Sequence, residues 1–245
     1  QVPAEVHALI TARSYVKHEL ATQLHSVFKA CYDRCVLVGS YQPVQEHMAK
    51  RTLKNLCLQY LLESADNSYL KLAQDQFTNA DNMTDQSAAL TALVSSSFRT
   101  EAQDALDAFY LQWQHEPLVI NLWLSIQASS DQLDGVEGIN RLLAHEAFDI
   151  KNPNKVRSVV GAFAGQNLRH FHGADGKGYQ WLAEQILTLD ELNPQIASRL
   201  LGPLTKWRRL TKHNSDLMKN ALETIHKRTN LSKDVYEVVH KSLVN

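Results

Sequence analysis

Glycine and proline are scarce in this chain, at 9 and 6 of 245 residues. With so few breakers, regular structure can continue between widely spaced turns. Runs of β-branched residues with alternating polarity are nearly absent, which argues against strands. There are three cysteines, Cys31, Cys35 and Cys57. An odd count in a chain of this length excludes a disulfide framework, and reduced thiols in a cytoplasmic protein are the simpler reading. Cys31 and Cys35 are four apart on one helix face. That spacing suits buried structural thiols or a two-ligand metal clip, although no second pair follows. No basic excess exists, with 25 Lys and Arg against 26 Asp and Glu. A general nucleic-acid or membrane-surface binder, which needs such an excess to hold phosphate, is therefore excluded. No apolar run approaches the ~20 residues that span a bilayer. The opening QVPAEVHALITARSYVKHEL lacks the basic-then-apolar order of a signal peptide. It also begins without Met inside a helical pattern, so a segment of a longer polypeptide is expected.

The motifs of a self-sufficient hydrolase are missing too. A zincin needs two His one helical turn apart, so that both imidazoles reach one metal, with a Glu between them as base. The His-Glu pairs here are His18-Glu19, His115-Glu116 and His145-Glu146, and the residues four after each His are Thr22, Val119 and Asp149. None supplies the second ligand. No serine elbow, P-loop or dinucleotide glycine fingerprint occurs. The chain alone is not expected to be an enzyme.

What is present is helix periodicity. The apolar fraction of 44% is ordinary for a globular chain. Apolar residues recur at spacings of three and four almost throughout. Leu53, Leu56, Cys57, Tyr60 and Leu61 form one such face, and Leu200, Leu201, Leu204 and Trp207 another. Turn signals divide the chain into roughly eleven or twelve helical segments. The first two are expected at 4–12 and 14–37. Breaks follow at 39–45, 65–68, 80–85, 115–118, 128–135, 151–155, 170–178, 191–194, 212–215 and 228–232. Short connections between successive helices imply antiparallel hairpins. So many hairpins bury their faces most economically by stacking on their neighbours. The expected fold is all-α, a curved and irregular superhelical stack of antiparallel helix pairs. It has no repeat of fixed period, and it forms a single helical domain over 1–245.

Two kinds of polar cluster stand out. His170, His172 and Asp175 lie on the glycine-rich stretch HFHGADGKG. They read either as a metal-ligand set or as side chains that satisfy loop backbone groups. The stretches KNPNKVRS (151–158) and LNPQIASR (192–199) each place Asn-Pro at a helix start. Asn152 and Asn193 are expected N-caps, with Pro153 and Pro194 in the first turn. Arg157 and Arg199 follow, and Gln195 shares a helix face with Arg199. The two starts either build a polar rim or carry solvated arginines that tie neighbouring helices.

The strings RTLKNLCLQYL (51–61), FTNADNMTDQSAALTAL (77–93), NPNKVRSVVGAFAGQN (152–167), FHGADGKGYQWLAEQIL (171–187), NPQIASRLLGPL (193–204) and NLSKDVYEVVHKSL (230–243) resemble, in order and spacing, the C-terminal domain of bacterial aminopeptidase N. The resemblance covers the chain from about residue 45 onward, and more loosely before that. It implies the non-catalytic C-terminal domain of a zinc-dependent enzyme that removes N-terminal amino acids from peptides. Such a domain would cap the active-site cavity and line the peptide channel, with Gln195, Arg199 and Arg157 toward substrate. The zinc, the catalytic groups and the oxyanion donor would belong to the catalytic domain, which leaves no cofactor or metal ligand in this chain. The implied partners are the catalytic domain of the same polypeptide and peptide substrates, with self-association once the domain is isolated, and the implied location is the cytoplasm. A free-standing helical-repeat module that binds protein or peptide is the alternative. An initiator Met directly before Gln1 would favour that alternative, and an upstream His-Glu-x-x-His pattern in the same frame would oppose it.

Overall fold

A computed structural model describes residues 3–244. Among them no strand occurs, and the extended pairing is one isolated parallel bridge between Ala4 and Leu210. The fold is all-α. The chain groups into two compact units, Gln1–Ile10 with His115–Asn245, and Thr11–Gln114.

The Thr11–Gln114 unit contains most of α1 (Val6–Gln23), then α2 (His25–Cys35), α3 (Gln45–Glu63), α4 (Asn67–Asn79), α5 (Met83–Val94) and α6 (Arg99–Trp113). The expected break near residue 13 is absent. α1 runs through it and ends at Gln23, and at Leu24 ψ opens to 15° before α2 begins. Nothing around residue 13 breaks a helix, since the stretch has neither Gly nor Pro. Asn82 caps α5 by accepting from the Asp85 N–H at 3.0 Å, and Asp66 caps α4 from the Ser68 N–H at 2.7 Å. Leu58, Leu61, Leu90, Leu93 and Phe109 are fully buried.

The buried face of α3 differs from the expected one. Leu53 and Leu56 are exposed, whereas Arg51, Lys54 and Asn55 are buried beside Cys57, Leu58, Leu61 and Leu62. The reason is a polar network that turns the helix. Lys54 Nζ donates to Asp85 Oδ2 at 2.7 Å, and Asn55 Nδ2 donates to Asp85 Oδ1 at 2.9 Å. Gln76 Nε2 donates to Asn55 Oδ1 at 2.8 Å and to the Asp85 carbonyl at 3.0 Å, and Tyr32 donates its hydroxyl proton to Gln76 Oε1 at 2.8 Å. One side chain each from α2 and α4 and two from α3 thus converge on the first turn of α5. Burial, with Asp85 next in importance, pushes the Tyr32 phenol up to about 12.

The other unit holds α7 (Pro117–Ala128), α8 (Gly135–Ala144), α9 (Pro153–Val156), a π-turn (Arg157–Gly161), α10 (Ala162–Gln166), α11 (Leu168–Phe171), α12 (Lys177–Leu192), α13 (Pro194–Leu200), a 3₁₀ turn (Leu204–Arg209), α14 (Lys212–His226) and α15 (Lys233–Val244). Its core is aromatic. Phe163 meets Trp181 edge-on at 5.0 Å, and Phe171 meets Tyr179 edge-on at 5.2 Å. The expected single face through Leu200, Leu201, Leu204 and Trp207 is divided, because Gly202 and Pro203 end α13 and a 3₁₀ turn follows. KHNS opens α14 instead of breaking the chain; the break lies at Leu210–Thr211, where the chain pairs with Ala4. A further break lies at Asn167, between α10 and α11. That side chain is fully buried, accepts from the His170 N–H at 3.1 Å and donates to the carbonyls of Ala128 and Ser130 at 3.1 and 2.9 Å. No helix among the described residues is long and apolar enough to cross a membrane.

Candidate functional site

The two Asn-Pro helix starts fold as their residues dictate. Asn152 Oδ1 accepts from the backbone N–H of Asn154 at 3.0 Å and of Lys155 at 3.4 Å. Pro153 occupies the first helical position, where its missing N–H costs nothing. Asn193 serves two helices. Its N–H donates to Leu189 at 2.7 Å to finish α12, and its side chain accepts from the Ile196 N–H at 3.2 Å to begin α13. Ile196, Ala197 and Leu200 face inward. Gln195 and Arg199, one turn apart, both face solvent. No hydrogen bond or ion pair of the Gln195 amide or the Arg199 guanidinium occurs among the described residues.

Arg157 begins the π-turn. It is exposed, and its Nη1 donates to Asn154 Oδ1 at 3.1 Å. A π-turn inserts one residue into a helix and so re-aims the side chains at its edge. Here it leaves Gly161 facing α13. A Cβ at Gly161 would lie 3.6 Å from Leu200 Cδ2 and 3.8 Å from Arg157 Cβ. The Arg157 segment and the Arg199 helix therefore touch at Gly161 and Leu200. The structure brings both expected Arg-bearing segments together, with the Arg heads exposed and Gln195 on the same helix as Arg199. Chemically, amide and guanidinium donors suit carbonyl oxygens or a carboxylate of an extended chain.

The other candidate cluster is used internally. His170 Nε2 lies 3.0 Å from the Asp131 carbonyl. Asp175 Oδ1 accepts from the Lys177 N–H at 3.1 Å and holds the turn into α12. His172 Nδ1 lies 2.8 Å from the Tyr179 hydroxyl, which also accepts from Asn214 Nδ2 at 2.9 Å. Burial first, then the charges of His7 and Lys206, pull His172 down to about 4. His170, His172 and Asp175 thus spend polar atoms on three separate partners, and this geometry does not fit one metal ion. Asn214 and Tyr179 escaped the sequence reading, because they are 35 residues apart and carry no local pattern.

The family described as "Domain of unknown function (DUF3458_C) ARM repeats" matches residues 1–244. Aminopeptidase N of Haemophilus influenzae is 38% identical over 95% of this chain and 26% of that enzyme. Aminopeptidase N of Escherichia coli K12 is 38% identical over 98% of this chain and 27% of that enzyme. A crystal structure of Legionella pneumophila aminopeptidase A in complex with aspartic acid superposes with a TM-score of 0.89 at 30% identity, covering 99% of this chain and 29% of that one. The chain spans little more than a quarter of the aminopeptidases it matches.

Proposed function

Because the chain belongs to this DUF3458_C ARM-repeat family, and its match to aminopeptidases N covers only 26–27% of each, we propose that it is the C-terminal, non-catalytic domain of a zinc-dependent aminopeptidase N of the cytoplasm. Its role is to cap the active-site cavity and to line the peptide channel. The zinc and the bond-breaking groups belong to the catalytic domain of the same polypeptide. One observation carries the reading to the residue level. Gln195 and Arg199 stand one turn apart with their heads free of partners among the described residues, beside the segment that presents Arg157. Donors left unspent by the fold are available to a peptide.

Neither group can activate water, so their contribution is to binding. In the complete polypeptide, Arg199→Ala is expected to raise KM for tripeptides and longer substrates by about tenfold to a hundredfold. That corresponds to the ~1.5–3 kcal/mol of a charge-assisted contact sealed from water. KM for a single-residue amide stays near wild type. An equal effect on every substrate length, or a change confined to kcat, would show that Arg199 is structural.

Apolar exposure supports the second element, docking onto another part of the polypeptide. Val16, Leu20, Leu24 and Val27 run at helical spacing along α1 and α2, and each is exposed. A stripe of this kind marks a surface that a partner covers.

A further inference from the structure

The three cysteines, separate in sequence, meet at one point of the α2–α3 hairpin. Phe28 of α2 stacks on Tyr60 of α3 with centroids 4.6 Å apart and planes at 11°. This contact fixes the register of two helices running in opposite directions. Three residues onward along α2 is Cys31, and three residues back along α3 is Cys57. The two thiols therefore face each other across the helix pair. Cys35 lies one turn beyond Cys31 on the same face. Cys31 is the side-chain neighbour that raises both Cys57 and Cys35. Access differs. Cys57 is 2% exposed and Cys35 7%, while Cys31 is the one of the three that is not buried.

We infer that this cluster is a reversible oxidation site, in which Cys31 takes up a small disulfide of the glutathione type and Cys57 resolves it into a Cys31–Cys57 cross-link between α2 and α3. The Cys31 thiolate attacks one sulfur of the small disulfide. That S–S bond breaks, and one small thiolate leaves and takes a proton from water. Cys57 then loses its proton to water and attacks the Cys31 sulfur, expelling the second small thiolate. Two protein thiols are oxidised and one small disulfide is reduced to two thiols. Such a bond needs the facing Cα atoms about 4.4–6.8 Å apart, and Cys31 and Cys57 hold the facing positions set by the Phe28–Tyr60 stack.

The order of attack follows from the surroundings. Burial, then Cys31 and Cys35, push the Cys57 thiol up to about 12; burial, then Cys31, push Cys35 up against the weaker opposing pull of Arg34 and Lys50. Neither buried thiol is a thiolate that an oxidant meets first. Capping Cys31 as a mixed disulfide removes the neighbouring thiol that helps raise Cys57. Only then does Cys57 become the attacking group.

The test is peptide mapping of the folded chain after incubation with oxidised glutathione under native conditions. The expected product joins the Cys31 peptide to the Cys57 peptide, with Cys35 still free, and dithiothreitol reverses it. Cys57→Ser should stop at a glutathione adduct on Cys31, and Cys31→Ser should leave Cys35 and Cys57 reduced. The wild-type map requires no variant to fold. Three thiols that stay reduced, an adduct on Cys31 that never advances, or a Cys31–Cys35 product would each overturn the inference.

Discussion

Gly178 shows what a single residue decides in this fold. A Cβ there would sit 2.4 Å from the Phe171 carbonyl oxygen and 2.8 Å from Phe171 Cα. Both are backbone atoms that cannot rotate away, so α12 approaches α11 only because Gly178 has no side chain. Gly178→Ala is expected to cost about 1–3 kcal/mol, as overpacking does, and Tm falls by about 2–4 °C for each of these. Gly165 is the control, since nothing lies within 4 Å of its Cβ position. Gly165→Ala should be neutral or stabilise by about 0.5–1 kcal/mol, the helix penalty of glycine. Thermal unfolding of the two variants side by side checks both. His172 makes a second prediction at this scale. Its pKa falls from 6.5 to about 4 on folding. As pH drops below 6.5, the unfolded chain takes up a proton that the folded chain refuses. The destabilisation grows down to about pH 4 and is absent above 6.5. His172→Gln should flatten that part of a urea-stability profile against pH.

At the scale of the element, α3 is oriented by charge as much as by apolar area. Lys54 and Asp85 are each 10% exposed and pair at 2.7 Å. Burying such a pair offsets desolvation only when both partners and their hydrogen bonds are intact. Asp85→Ala removes the acceptor for Lys54 and Asn55 together, so it should cost about 3–5 kcal/mol. Lys54→Met leaves no buried cation behind and should cost less, because the Asp85 carboxylate still accepts from Asn55 Nδ2 and Asn82 Nδ2. A double-mutant cycle by denaturant unfolding measures the coupling. If Asp85→Ala proved nearly neutral, the network would not be what turns α3. The π-turn is the other element with a consequence. It begins at Arg157 and ends at Gly161, which packs against Leu200 of α13.

For the whole molecule, the exposed stripe from Val16 to Val27 and the partial coverage of the relatives point the same way. The isolated chain is expected to fold with a helical circular-dichroism spectrum and to show no turnover of an alanyl chromogenic substrate. It should also self-associate through that stripe. Sedimentation velocity would detect a concentration-dependent species, and Val16→Glu with Val27→Glu should abolish it. Zinc-dependent turnover by the pure chain would contradict the proposed division of labour. A monomer at every concentration would contradict the docking surface.

Much of the architecture follows from composition and periodicity alone. Scarce Gly and Pro with apolar spacings of three and four leave only helices. Asn-Pro at 152–153 and 193–194 sets two helix starts through caps that act within three residues. These are local effects, and a local pattern carries them. The segment strings likewise carried the family. Tertiary structure decided whatever depends on partners distant in the chain. Lys54 finds Asp85 31 residues away, Asn167 reaches the Ala128 carbonyl 39 away, and Tyr179 meets Asn214 35 away. A polar residue in a helical pattern reads as solvated unless its partner is known, so Leu53 and Leu56 were expected on the apolar face and nothing in the pattern singled out Lys54. The same reason hid the thiol cluster. The four-residue spacing of Cys31 and Cys35 was visible, but only the Phe28–Tyr60 register brings Cys57 to them.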